Sequence, residues 1–267
     1  NIFSIIILVT LAVDFILNLV ADLYNIKSLD TGLPDEFEEV YDEDTYQQSQ
    51  EYTKVNTRFG ILTSTFNLAV LLVFWFAGGF NWLDEIVRGW ELGTIWTGLA
   101  YIGILILFKT ILSLPFSIYS TFVIEERFGF NKTTPKTFVM DMLKGLGLGI
   151  ALGGPLLAGI LAFFTFIDQY AWLYAWAAVT AFTLFVQFIA PTWIMPLFND
   201  FEPLEDSELR KKIRDYADKV NFAMEGVYVM DGSKRSSKSN AFFTGFGKNK
   251  RIALYDTLID NHTEEDR

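Results

Sequence analysis

IFSIIILVTLAVDFILNLVADLY, residues 2–24, is an apolar run relieved by Ser4, Thr10 and a polar trio, Asp14, Asn18 and Asp22. A helix that crosses a bilayer needs about 20 mostly apolar residues, because the hydrocarbon layer is about 30 Å thick and each residue rises about 1.5 Å. Residues 2–24 meet that length. The same test selects 60–83, 92–124, 145–167 and 170–198, so five spans are expected. The block at 92–124 is long enough to tilt or to project beyond the bilayer, and Pro115 is placed to kink it. The rival reading is a large soluble helical core, but such cores rarely repeat apolar blocks of this length.

Composition agrees with a bilayer. The 267 residues are 51% hydrophobic and include 26 Phe and 7 Trp, with a positive mean hydropathy. There are no cysteines, which excludes disulfides, thiolate metal sites and a thiol nucleophile within this stretch. A secretory signal is the other reading of the first block, since residues 2–13 have the length of an h-region. Against it, no basic lead or small-residue cleavage site is present, and apolar character resumes after Asp14. The chain starts at Asn1 without Met, and further residues are expected to precede it.

Lys and Arg in short loops set the expected orientation. Lys27, Lys54 and Arg58 lie between the first two spans, and Arg127, Lys132, Lys136 and Lys144 between the third and fourth. The opposite loops hold only Arg88, whereas Lys211, Lys212, Arg214, Lys234 and Arg235 follow the last span. Asn1 is therefore expected outside and the polar tail in the cytosol. The net charge of -11 comes largely from the first loop, DEFEEVYDEDTYQQSQE, residues 35–51. Such acidity keeps a loop soluble, and no basic stripe points to nucleic acid.

Asp14, Asn18 and Asp22 recur at i, i+4 and i+8 and so share one helical face. Lys109 sits within the third block, with Asn67 and Gln187 in the second and fifth. A charge at the bilayer centre costs about 2.5–3.5 kcal/mol, so as a set these groups are expected to line a wet interior. Taken singly, Asp22 also fits the interface, Lys109 also fits a snorkelling role, and the amides also fit helix-to-helix bonding. Gly145, Gly149 and Gly153, at four-residue spacing, read as a close helix-packing face.

After residue 198 the chain turns polar. In PLFNDFEPLEDSELRKKIRDYADKVNF, residues 196–222, Leu209, Ile213, Ala217 and Val220 form an amphipathic stripe, with acids before the bases as a helix dipole prefers. GVYVMDG (226–232) and RIALYDTL (251–258) are β-rich runs on either side of SKRSSKSNAFFTGFGKNK (233–250), giving a helix followed by a small sheet. The Ser, Lys and Gly cluster at 232–239 lacks the spacing and following helix of a phosphate loop. Thr263 and Asp266 have helix-capping spacing, so a helix is expected to begin there and to continue past residue 267.

Four blocks, in order along the chain, carry a family resemblance: YDEDTYQQSQEYTKVNTRFG (41–60), EERFGFNKTTPKTF (125–138), PLFNDFEPLEDSELRKKI (196–213) and SKRSSKSNAFFTGFGKNKRIALYDTL (233–258). Together they resemble the CAAX prenyl protease 1 family, the integral-membrane zinc endopeptidases of the a-factor-converting type. The resemblance implies a mainly α, multi-span fold: a seven-span helical barrel around a hydrated chamber, with a small α+β metallopeptidase portion on the cytosolic side. It divides this chain into a five-span region, 1–198, and the start of the peptidase portion, 199–267.

In that family a later H-E-x-x-H helix and a downstream Glu hold zinc. No catalytic residue or zinc ligand is therefore assigned within residues 1–267, and His262 reads as a solvated loop residue. The resemblance makes Asn240, Ala241, Phe242, Phe243 and Thr244 a substrate-binding edge strand, which takes an extended peptide by backbone pairing, and makes Asp14, Asn18, Asp22 and Lys109 chamber-lining. Lys238 departs from the family, which commonly has His there.

The function implied is cleavage of C-terminal CAAX-type tails of prenylated proteins, or of other membrane-associated peptides, in the endoplasmic reticulum and nuclear envelope or a bacterial inner membrane. Expected partners are that substrate and the bilayer, with no oligomeric state fixed. On the residues alone two other classes stay open: an ion-coupled transporter or channel in which Asp14 and Lys109 relay ions, and a catalytically dead scaffold relative.

Overall fold

The structure, a computed structural model, describes residues 1–29, 32–35, 42–247 and 250–261. The chain divides into two compact units, Asn1–Ile86 with Thr110–Phe128, and Val87–Lys109 with Gly129–Arg267. It is mainly helical. Five of its helical rods are long and apolar enough to cross a membrane: Ile2–Ser28, Glu43–Phe76, Thr94–Glu125, Pro135–Phe166 and Ala171–Leu197. Over the most apolar window of each rod no residue is buried inside the protein. Apolar side chains such as Phe3, Ile16, Val73, Phe166 and Trp176 are instead left exposed, as a lipid-facing surface requires.

In the first unit, α1 (Ile2–Ser28) is capped by Asn1, whose side chain accepts from the Phe3 N–H. Helix α2 (Glu43–Phe76) begins well before the apolar block at residue 60. The Asp42 side chain accepts from the Thr45 N–H at 3.0 Å, and Glu43 and Asp44 follow in the first turn, so the polar stretch has a strong helix start. The helix ends at Phe76 rather than near residue 83, because Gly78 adopts a φ of 77°; α3 (Gly79–Arg88) is a separate amphipathic helix. Phe59 stacks on Tyr119 with 5.3 Å between centroids, and Phe66 packs on Phe116 at 4.9 Å. These rings join α2 to the later part of α4 (Thr94–Tyr119). At the polar end of this seam Tyr52 donates to Glu125, which lies in the π-helical turn Ser120–Glu125 that continues α4.

In the second unit, α5 (Pro135–Leu148), a π turn and α6 (Gly154–Phe166) form one rod. A Cβ added at Gly145, Gly149 or Gly153 would meet nothing within 4 Å, so these glycines do not form the tight packing face their spacing suggests. Gly149 to Gly153 is instead the π turn itself. The close approach falls at Gly98 of α4, where a Cβ would lie 2.8 Å from Leu161 Cδ1 of α6. Helix α7 (Ala171–Ile189) continues through a second π turn, Ala190–Ile194, and a short 3-10 turn, Met195–Leu197.

The polar portion of this unit is a four-stranded sheet of order β1-β2-β4-β3, formed by β1 (Phe201–Pro203), β2 (Gly226–Met230), β4 (Arg251–Tyr255) and β3 (Ala241–Thr244). The β2–β4 pair is parallel and the other two are antiparallel. Helix α8 (Glu208–Lys219), capped by Ser207, lays Leu209 into a buried cluster with Leu204, Val227 and Leu254, against which Ile213 and Ile252 pack. Val220, placed on the same stripe by its spacing, follows the helix and is 50% exposed. The run at 251–258 is strand only to Tyr255; Asp256 opens a short helix, α9 (Asp256–Asn261). The capping pattern at Thr263 and Asp266, and His262, lie outside the described residues.

Candidate functional site

Strand β3 forms one edge of the sheet, with β1 at the other, and pairs only with β4 among the described strands. Ala241 stands opposite Leu254, Phe242 opposite Ala253, Phe243 opposite Ile252 and Thr244 opposite Arg251. Tyr255 N–H donates to Asn240 C=O at 2.9 Å. In an antiparallel ladder, pairs that exchange hydrogen bonds alternate with pairs whose backbone groups point away. Asn240, Phe242 and Thr244 are therefore the residues turned to β4, and Ala241 and Phe243 present N–H and C=O outward. One outward donor is occupied at home: Ala241 N–H donates to Asn240 Oδ1 at 2.8 Å.

The two phenylalanines part to opposite faces, as successive strand residues must. Phe242 is half-buried, its ring edge-on to Tyr255 at 6.3 Å. Phe243, on the α8 side of the sheet, is 70% exposed and meets Phe222 edge to face at 5.7 Å. Lys250 Nζ lies 4.3 Å from the centroid of the same Phe222 ring. Past the end of β3 is a cleft of about 290 Å³, lined by Phe188, Pro191, Thr192, Gly245, Phe246 and the Glu225–Arg251 ion pair. That pair is two-pronged, Nε to Oε2 at 2.9 Å and Nη2 to Oε1 at 2.8 Å. The guanidinium holds the Glu225 carboxyl below the usual carboxylate range.

The segment leading into β3 is bound to helix ends and loops of the same unit. Asn131 and Ser236 form an antiparallel bridge, Ser237 N–H donates to Phe130 C=O at 3.1 Å, and Lys238 Nζ sits 4.5 Å over the Phe130 ring. Arg235 forms a two-pronged ion pair with Asp141 of α5. The sequence names Arg235 only as one base among several and does not single out Asp141. The signal, in retrospect, is a lone acid near the start of an apolar helix.

Of the polar span residues, Asn18 reaches back one turn, its Nδ2 donating to Asp14 C=O at 2.9 Å and to Asp14 Oδ1 at 3.3 Å. Both are exposed, Asp22 is half-buried and Lys109 is exposed. Asp14, Asn18 and Asp22 belong to the first unit and Lys109 to the second. Among the described residues no group of three or more His, Asp or Glu side chains is arranged to hold a metal ion. None of the described residues is therefore assigned as a ligand of the zinc that the resemblance implies.

Five membrane-capable helices joined to a small sheet with an open edge define an integral membrane protein that presents a polar α/β portion. Residues 22–200 match the family described as CAAX prenyl protease N-terminal, five membrane helices, and residues 203–267 match peptidase family M48, a metallopeptidase family. The chain belongs to the CAAX prenyl protease family.

It is 40% identical over 236 residues to the probable CAAX prenyl protease 1 of Schizosaccharomyces pombe, covering 84% of this chain and 50% of that protein. It is 39% identical over 256 residues to the CAAX prenyl protease 1 of Saccharomyces cerevisiae, covering 90% and 55%. The crystal structure of S. mikatae Ste24p superposes with a TM-score of 0.87 at 37% identity, covering 96% of this chain and 62% of that one. The chain thus spans about half the length of the curated relatives it matches.

Proposed function

We propose that this chain is the N-terminal part of a zinc-dependent membrane endopeptidase that cuts C-terminal CAAX-type tails of prenylated proteins, with its peptidase side in the cytosol. The family and the names of its relatives support the class. The observation that carries the reading for this chain is the free edge of β3. An extended peptide laid along it is offered the outward C=O of Ala241 and the outward N–H and C=O of Phe243, and strand addition of this kind binds through main-chain bonds while side-chain pockets select.

Asn240 adds a donor and an acceptor at the entrance, Thr244 ends the paired stretch, and the exposed Phe243 ring supplies an apolar wall. The work of this chain is to bind and orient. Zinc, with ligands beyond residue 267 by the family resemblance, would polarise the scissile carbonyl and activate water when bound.

Asp14, Asn18 and Asp22 in the first unit and Lys109 in the second are read as facing water rather than lipid, since a charge at the bilayer centre costs about 2.5–3.5 kcal/mol. The Lys-rich and Arg-rich loops support the cytosolic placement of the sheet. The test is cleavage of a farnesylated CAAX peptide by the full-length protein, with and without a chelator. Chelator-sensitive cleavage is expected, and cleavage that ignores the chelator removes the reading.

A further inference from the structure

The lead-in to β3, residues 231–239, converges on one side chain. Arg235 Nε and Nη2 donate to Asp141 Oδ2 and Oδ1 at 2.7 and 2.9 Å, and Nη2 also donates to Phe198 C=O at 2.7 Å. The Arg235 carbonyl in turn accepts from Lys132 N–H at 3.0 Å and from Thr133 Oγ1 at 3.1 Å. One residue thereby fastens the lead-in to α5, to the chain just past the Met195–Leu197 turn, and to the loop that precedes α5. On either side the fastening continues through smaller contacts: Asn199 Nδ2 to Asp231 Oδ1 at 2.9 Å, Ser237 Oγ to Gly129 C=O at 2.9 Å, and Thr257 Oγ1 to Lys238 C=O at 3.0 Å.

We propose that Arg235 is a positioning residue for the peptide-binding edge, setting where β3 lies against the membrane helices of its own unit. The proposal rests on the reading of β3 as that edge. Strand β3 is four residues long and held by a ladder on one side only, so its placement depends on the residues that deliver it. A guanidinium suits the task because its rigid fork makes two parallel bonds to a carboxylate and has a further N–H for the Phe198 carbonyl. A lysine would keep the charge and lose the fork. Side chains of Arg235 and Asp141 are 24% and 25% exposed, so the pair is shielded enough to hold its geometry.

The experiment uses the full-length protein in detergent. Arg235→Ala is expected to raise KM for a farnesylated CAAX peptide about tenfold with kcat within about twofold, and Arg235→Lys to raise it about threefold. In parallel, hydrogen exchange at residues 236–244 is expected to quicken about tenfold in Arg235→Ala while α1 and α2 are unchanged. Asp141→Asn, which keeps an acceptor but removes the charge, is the second variant if the alanine protein does not fold, and the same direction is expected.

Unchanged exchange at 236–244, or a loss confined to kcat, overturns the positioning role. If the wild-type protein cleaves no such peptide in a chelator-sensitive way, the proposed function falls. The exchange measurement then decides alone whether Arg235 sets the strand.

Discussion

Tyr255 donates its N–H to the carbonyl of Asn240 at 2.9 Å, and this one bond sets the phase of the whole β3 edge. It turns the backbone of Phe242 toward β4 and that of Phe243 toward open space. Proline, which lacks an N–H, separates the two directions. Phe243→Pro removes an outward donor and no ladder bond, so relative to Phe243→Ala it should raise peptide KM by about tenfold with little change in melting temperature. Phe242→Pro removes a ladder donor and should destabilise by about 1–3 kcal/mol more than Phe242→Ala, read from thermal unfolding.

The paired phenylalanines should also separate in stability. Phe242 is half-buried against Tyr255, and its truncation to Ala is expected to cost about 2 kcal/mol, somewhat below the value for a fully buried ring. Phe243 is 70% exposed, and Phe243→Ala should cost less than about 1 kcal/mol while weakening peptide binding. Thermal melts of the two single variants in the same detergent check the order.

The Glu225–Arg251 pair predicts a pH effect. Hydrogen bonding to Arg251 lowers the folded-state pKa of Glu225. A lowered carboxylate pKa contributes stability that is fully present above the unfolded value, about 4.3, and is lost as pH falls through the folded value. With the Glu225 side chain 39% exposed, the contribution is screened to about 1 kcal/mol or less. Wild-type protein should therefore keep its advantage over Glu225→Gln from neutral pH down to about 4.3 and lose it progressively below that, which parallel melts at a series of pH values measure.

A wet interior predicts reactivity inside α1. Residues 1–267 contain no cysteine, so a single cysteine introduced here is the sole thiol of this stretch. Asn18→Cys should react with a membrane-impermeant thiol reagent at least about tenfold faster than Ile16→Cys, whose side chain is 54% exposed on an apolar surface. Equal rates would place Asn18 in lipid.

The spanning helices are legible because the bilayer demands a length and an apolarity that few other structures need. Their ends are less so. Residues 43–59 are polar and join α2 through the cap at Asp42, whereas the apolar run to 83 is cut by the positive φ of Gly78. The small sheet is legible at β2 and β4, but β1 is three residues, too short for any alternation to show. The glycines at 145, 149 and 153 have a packing motif's spacing, but a Cβ there would meet nothing within 4 Å among the described residues, because spacing records one helix face and not what meets it. Arg235 and Asp141 stand 94 residues apart, and nothing local in either segment reveals that they meet.

The most direct test is metal-dependent cleavage by the full-length protein. Chelation should abolish cleavage of a farnesylated CAAX peptide, and added zinc should restore it, with Phe243→Pro raising KM in the restored enzyme. Cleavage that persists after the metal is stripped, or full-length protein that binds no zinc and cuts no such peptide, would contradict the central claim that β3 delivers peptides to a metallopeptidase centre.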